Sequence, residues 1–182
     1  EMLAREKLDI VSICTWPALH APMVIACAEA GVRAVHCEKP ISESYGDSKR
    51  MVAACAASGT QLTFDHQRRF LEPFRQARQL LRDSAVGDLQ RIESVTSNLY
   101  DWGTHWFDMM FFLNDETPAE WVIGQIDLRG LHRVFGAPVE GMGLSSIKFR
   151  NDVRGLMQTG FDAPKIANFR LVGSEGVIEI GV

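Results

Sequence analysis

The sequence predicts an α/β protein: one half of a doubly wound parallel sheet, followed by an α+β domain with a mostly antiparallel open sheet. Three observations predict it. Across residues 8–64, short apolar runs alternate with helical patterns, the mark of parallel crossover units. After residue 113, extended stretches follow one another without helices between them, so their strands pair in an antiparallel or mixed sheet. Between the two patterns stands Arg68-Arg69-Phe70, and the boundary is placed near Phe70, giving domains over 1–70 and 71–182.

Leu8 to Thr15 is rich in β-branched residues and reads as a strand that Trp16-Pro17 ends. A helix follows, with Pro22 expected in its first turn, Val24, Ile25, Cys27 and Ala28 along it, and Gly31 closing it. Val32 to Val35 then leads through His36 and Cys37 into Glu38-Lys39-Pro40. Flanked by helices, this is expected to be an inner strand buried on both faces, with Glu38 and Lys39 at its carboxyl end. Ligands of open α/β sheets bind beyond such ends, and the proline holds the lysine extended. His36 is expected in or beside the core.

Ser44-Tyr45-Gly46-Asp47 resembles a capping box that opens a helix through Met51, Val52 and Cys55, ended by Gly59. Gln61 to Phe64 is the third strand. Pro73 starts a helix with Phe74, Ala77, Leu80 and Leu81 on one face, and Gly87 lies beyond it. Leu89 to Thr96 is a strand, and Gly103 to Leu113 a short helix carrying Trp106, Phe107, Phe111 and Phe112. Extended stretches over 121–128, 143–149, 153–161 and 169–180 complete the chain, the last turning as a hairpin at Gly173-Ser174-Glu175-Gly176.

The 182 residues, 46% hydrophobic and 23% charged, suit one good core or parts of two domains. A net charge of -4 and no block of like charges argue against nucleic acid as a partner. No apolar run reaches membrane-spanning length, so a cytoplasmic location is expected, and any export leader lies upstream of Glu1. Cys14, Cys27, Cys37 and Cys55 form no CxxC pair. They read as buried free thiols rather than a metal or redox site.

Chemistry concentrates at the strand ends and on the aromatic helix. On a helix, Asp101, His105 and Asp108 share one face, where a carboxylate one turn from an imidazole can orient it and fix its tautomer for general-base work. A surface ion pair accounts for the same spacing, and a metal site is the weaker reading because no cysteine or second histidine joins it. Thr15-Trp16-Pro17 with His20 lies at a neighbouring strand end, and Arg68 and Arg69 follow a third. Each also reads as an ordinary turn or linker. No GxGxxG turn follows any strand, and Gly141-Met142-Gly143 stands in the wrong context, so either the protein binds no dinucleotide or the first mononucleotide-binding half is absent from this chain.

In this order, the segment from Asp9 to Pro17 with His20, then Glu38-Lys39-Pro40, then Arg69-Phe70 with Pro73, then Asp101-x-Gly103-x-His105-x-x-Asp108, resembles the Gfo/Idh/MocA oxidoreductases, the glucose–fructose oxidoreductase and inositol dehydrogenase relatives. Val172-Gly173-Ser174-Glu175-Gly176 resembles that family's closing turn and strand. The resemblance implies a Rossmann-type domain binding NAD or NADP and a C-terminal domain with an open sheet for substrate and homo-oligomer contacts. It implies that this chain enters the Rossmann domain near its fourth strand, without roughly the first 60–70 residues, and stops before the C-terminal sheet ends.

By that resemblance Lys39 positions nicotinamide and substrate and assists proton transfer, and Glu38 lies beside the ribose. Thr15, Trp16, Pro17, His20 and Pro40 line the cofactor, although Trp16 is bulkier than the family's usual residue. Asp101 and His105 are the substrate-binding aspartate and catalytic histidine, Arg69 binds substrate, and Asp108 is structural. Only a few residues separate Thr96 from Asp101, a departure that shortens one wall of the expected pocket. The implied activity is hydride transfer between a nicotinamide and a secondary alcohol or ketone of a sugar or polyol. The alternatives are NAD-dependent glycoside hydrolysis on the same scaffold and a non-catalytic sugar sensor.

Overall fold

A computed structural model describes residues 1–160 and 169–181. The chain divides into two compact units, Glu1–His66 and Gln67–Val182.

The first unit opens on a single helical turn, α1 (Met2–Arg5), and then alternates β1 (Ile10–Ile13), α2 (Pro17–Glu29), β2 (Ala34–Cys37), α3 (Tyr45–Ser58) and β3 (Gln61–Phe64). The three strands form a parallel sheet in the order β1-β2-β3, with Ile10 opposite Ala34 and Ala34 opposite Gln61. β2 is therefore the inner strand. Its burial departs from expectation, because only Val35 and Cys37 are buried while His36 between them is exposed. The side chains alternate across the sheet. One face packs on Val24, Cys27 and Ala28 of α2 and Met51 and Cys55 of α3, and the other carries Ser12, His36 and Thr63 in solvent. His36 accordingly meets Thr63, its Nδ1 lying 3.0 Å from Oγ1.

α2 also begins earlier than expected. Pro17 takes the first helical position, where its missing N–H leaves no partner unsatisfied, and Pro22 falls inside the helix rather than in its first turn. At the other end Val32 N–H reaches the Cys27 carbonyl and Gly31 N–H that of Ala28, a closure that needs the positive φ of +75° Gly31 adopts. α3 is capped as the sequence predicts at its backbone half: Ser44 Oγ accepts the Asp47 N–H at 3.1 Å.

The second unit starts with a 3-10 turn, Gln67–Phe70, and α4 (Glu72–Arg82), then β4 (Leu89–Thr96) and α5 (Trp102–Leu113). Seven strands follow: β5 (Ala119–Asp127), β6 (His132–Val134), β7 (Ala137–Val139), β8 (Met142–Phe149), β9 (Arg154–Gly160), β10 (Phe169–Gly173) and β11 (Val177–Ile180). Phe161, placed in the third extended stretch by the sequence, lies outside the described residues. Six of the strands form one mixed sheet in the order β11-β10-β4-β9-β8-β5, parallel only between β4 and β9. Its core joins Phe74 and Ala77 of α4 and Trp106, Met109, Met110 and Leu113 of α5 to Ile92, Ile147, Phe149, Met157, Phe169 and Leu171 of the sheet. β6 and β7 form a separate hairpin that the sequence reading missed. Its turn, Phe135-Gly136, holds positive φ at both residues (50° and 83°), and phenylalanine gives no signal for that conformation.

Candidate functional site

The residues singled out in the sequence fall into two groups, one in each unit. In the first unit they gather at the carboxyl edge of the parallel sheet, where the chain leaves β1 and β2. The ladder runs one residue past each strand, with Glu38 N–H bonded to the Ile13 carbonyl and Asp65 N–H to that of Cys37. Thr15, Trp16 and Glu38-Lys39-Pro40 therefore emerge side by side. Glu38 and Lys39 are half-buried, and the Glu38 carboxylate accepts the Lys39 N–H at 3.0 Å, which holds that side chain against its own turn. Trp16 is 59% exposed and caps α2.

His20 ties these turns together. It projects from the first turns of α2, is wholly buried, and places Nδ1 2.8 Å from the Pro40 carbonyl and Nε2 3.1 Å from that of Thr15. A neutral imidazole carries one N–H and can donate to only one of these oxygens, whereas an imidazolium donates to both. Either way the ring bridges the turn after β1 to the turn after β2. With no surface of its own, it shapes the crevice from behind and does not line it.

In the second unit Asp101 and His105 sit at the start of α5, 8% and 4% exposed. The helix is set by its surroundings. Trp106 Nε1–H bonds the Val95 carbonyl at 3.0 Å, fastening α5 to β4. Asn98 accepts the Asp101 N–H on Oδ1 at 2.7 Å and the Gly103 N–H on its carbonyl at 2.8 Å. Buried Glu140 accepts the Leu99 N–H at 2.6 Å and the Thr159 hydroxyl at 2.8 Å. Asn98 and Glu140 thus hold the loop that delivers Asp101, and sequence reasoning passed over both. Their roles depend on partners 3 to 41 residues away and left no local signal in the sequence.

Arg69 and Asp108 form a fork-to-fork pair, Nε to Oδ2 at 2.7 Å and Nη2 to Oδ1 at 2.6 Å, and Arg69 Nη1 reaches Glu116 at 2.8 Å. The hydrogen bonds that the guanidinium donates to Asp108 hold its pKa far above the ordinary value. Arg69 joins the 3-10 turn to α5, and its donors are taken up by protein carboxylates. Among the described residues no group of histidines, cysteines and carboxylates is arranged to hold a metal ion, and no helix is long and apolar enough to cross a membrane.

Adjacent turns at the carboxyl edge of a parallel sheet are where open α/β folds bind their ligands. Residues 1–66 match the oxidoreductase family with an NAD-binding Rossmann fold, Gfo/Idh/MocA. The first unit is thus similar to that family over its whole length. It is 37% identical to D-apiose dehydrogenase of Paraburkholderia graminis over 86 residues, 47% of this chain and 23% of that protein. It is 37% identical over the same length to 2,7-anhydro-N-acetylneuraminate hydratase of Mediterraneibacter gnavus, again 23% of that protein. Against inositol 2-dehydrogenase/D-chiro-inositol 3-dehydrogenase of Shouchella clausii the identity is 31% over 110 residues, 60% of this chain and 32% of that one. The matched stretches thus take in about a quarter to a third of these relatives. The fold of the whole chain is that of the WlbA dehydrogenase from Bordetella pertussis, solved with NADH and UDP-GlcNAcA, at a TM-score of 0.84 and 21% identity, covering 100% of this chain and 57% of that one.

Proposed function

We propose that the protein to which this chain belongs is an NAD- or NADP-dependent oxidoreductase that moves a hydride between a nicotinamide and a secondary alcohol or ketone of a sugar, polyol or related small molecule. The observation that carries this reading is the set of paired turns at the carboxyl edge of the β1-β2-β3 sheet, in a unit that matches an NAD-binding family. The half-buried Glu38 and Lys39 fit the nicotinamide end of such a cofactor. A phosphate-binding glycine turn is not among these residues. The dehydrogenase names of the apiose and inositol relatives support the substrate class.

The nicotinamide, when bound, supplies the hydride acceptor or donor. The chain supplies the rest. In the oxidative direction His105 takes the hydroxyl proton, Lys39 stabilises charge on the reacting oxygen, and Asp101 holds the substrate or the imidazole. Burial of Asp101 and His105 keeps water away from that transfer. His105→Ala in the full-length protein is expected to lower turnover ~10²–10⁴-fold, and a loss below about tenfold would remove the base from the reaction. Reduced nicotinamide appearing with one member of a sugar and polyol panel, and vanishing in Lys39→Ala, is the expected outcome. Failure to bind either cofactor would sink the reading.

The hydratase relative favours one second reading, a reaction on the same scaffold with no net oxidation. Its sign is product formed without accumulation of reduced nicotinamide. The open sheet also supports self-association. β5 is exposed along nearly its whole length and carries Trp121, Val122, Ile123 and Ile126 into solvent, an apolar edge of the kind proteins cover. A monomer in light scattering at micromolar concentration would overturn that inference.

A further inference from the structure

Arg68 and Arg69 are adjacent in the 3-10 turn, yet their surroundings are opposite. Arg69 has two carboxylates within hydrogen-bonding distance. Arg68 has none among the described residues. It lies instead against α5, its Cζ 4.9 Å from the centre of the Trp102 ring and 4.5 Å from that of Trp106. Its Nε is shut off from solvent with no acceptor, and burial pulls its pKa down. The terminal Nη atoms are not shut off in this way. Trp102 is 43% exposed, so the stack opens to solvent on that side.

Trp102 and Trp106 follow Asp101 and His105 by one residue each, so the two pairs form neighbouring stripes on one helix, about 100° apart. Arg68 therefore lies on the flank of the stripe assigned to catalysis. A guanidinium is always charged and has five N–H groups to place. Stacking on indoles offsets part of the cost of moving it out of water but satisfies none of those donors. A planar acceptor carrying negative charge would satisfy the two Nη groups end-on, with the geometry that makes arginine the usual reader of carboxylates.

We propose that Arg68 reads a carboxylate on the substrate, so that the site takes sugar acids, or polyols bearing a carboxylate, over their neutral counterparts. This rests on the reading that α5 carries the reacting histidine. The competing account makes Arg68 a rivet between two indoles, with no bearing on which ligand binds.

The two indoles also provide a readout independent of turnover. Tryptophan fluorescence of the full-length protein with nicotinamide cofactor is titrated with D-glucuronate against D-glucose and with D-galacturonate against D-galactose. The same pairs are then compared in turnover. The acid of each pair is expected to bind roughly 10- to 100-fold more tightly, the range of one charge-assisted contact. Arg68→Met, which keeps an apolar stem on the rings, should bring that ratio to within about threefold of unity, and Arg68→Lys should keep part of it. Equal binding of acid and neutral sugar, no binding of either, or a preference unchanged in Arg68→Met would overturn the proposal. An acid-selective fluorescence response without reduced nicotinamide on any substrate would leave the carboxylate reading standing and remove the oxidoreductase reading. Turnover of neutral sugars with no advantage to the acids would do the reverse.

Discussion

At Cys37 and Cys14, two thiols one register position apart at the ends of β2 and β1 meet opposite conditions. Cys37 is wholly buried on the core face of β2, and burial, with the neighbouring Glu38 charge adding to it, pushes its thiol up to about 12. Cys14 lies just beyond β1 and is exposed, which corrects the expectation that all four cysteines are buried. Only a thiolate alkylates, so iodoacetamide at about pH 8 should label Cys14 first and leave Cys37 unmodified until the unit unfolds. Peptide mass spectrometry reads the outcome, and early label on Cys37 would contradict the burial. The same limit of sequence reading applies to His20. Its position in a strand-end motif was legible, but resemblance placed it along the cofactor. Its two main-chain partners, one of them 20 residues away, appear only once the turns are folded side by side.

At the level of elements, turn chemistry was well marked in the sequence and side-chain clamps were not. Gly173 and Gly176 flank a two-residue turn closed by Gly173 N–H on the Gly176 carbonyl at 2.9 Å, as the hairpin signal predicts. What the signal does not contain is the grip of that turn on Val86 to Asp88: Ser174 N–H bonds the Asp88 carbonyl, Glu175 N–H that of Val86, and Asp88 N–H the Ser174 hydroxyl. A Cβ on Gly173 would run into the Val86 carbonyl. Gly173→Ala should therefore cost about 1–3 kcal/mol through overpacking, read as a lower midpoint in urea with an unchanged slope.

Helix α4 is held to the turn after α5 in a comparable way, by Arg82 and Arg78 converging on Asp115 Oδ1 at 2.7 and 2.9 Å. The Arg82 bond, then the Arg78 bond, hold the Asp115 carboxyl below its ordinary 3.8. For Glu93, burial works upward, but hydrogen bonds from Arg91 and Arg170 outweigh it and the net direction is below 4.5. A carboxyl depressed in the folded state adds stability above its unfolded value and loses it as pH falls through the folded one. The melting temperature of the second unit should accordingly fall as pH drops below about 4, and Asp115→Asn should flatten part of that slope. The Asp115 share is small, since its side chain is 57% exposed and solvent screens it. An acid limb unchanged by that variant would assign the loss to other carboxylates.

Across the whole molecule, the sequence made the two classes of architecture legible because crossover units and consecutive strands leave different periodicities. The sheet order β11-β10-β4-β9-β8-β5 was not legible, since nothing local in Leu89 to Thr96 says that its neighbours come from residues 154–160 and 169–173. The side-chain contacts around α5 were similarly hidden. Asp101 and His105 stand one helical turn apart in the sequence, a spacing that a surface ion pair also fits, while the partners of Asn98, Glu140 and Arg68 are brought in by the tertiary fold.

That strand order also sets the time course by which the molecule is made. In the first unit, β1 pairs with β2 and β2 with β3 across 24 to 27 residues, Ile10 to Ala34 and Ala34 to Gln61. In the second, β4 waits for partners 63 and 75 residues further on, Arg91 with Arg154 and Ser94 with Phe169. Closing the longer loops costs more chain entropy before any contact returns it, so such pairings form late. In pulsed hydrogen exchange during refolding, amides of β2 should gain protection before those of β4. Until Phe169 arrives, Trp106 and Phe74 each lack one of the rings packed on them, so the interval between the two events leaves apolar surface open to aggregation.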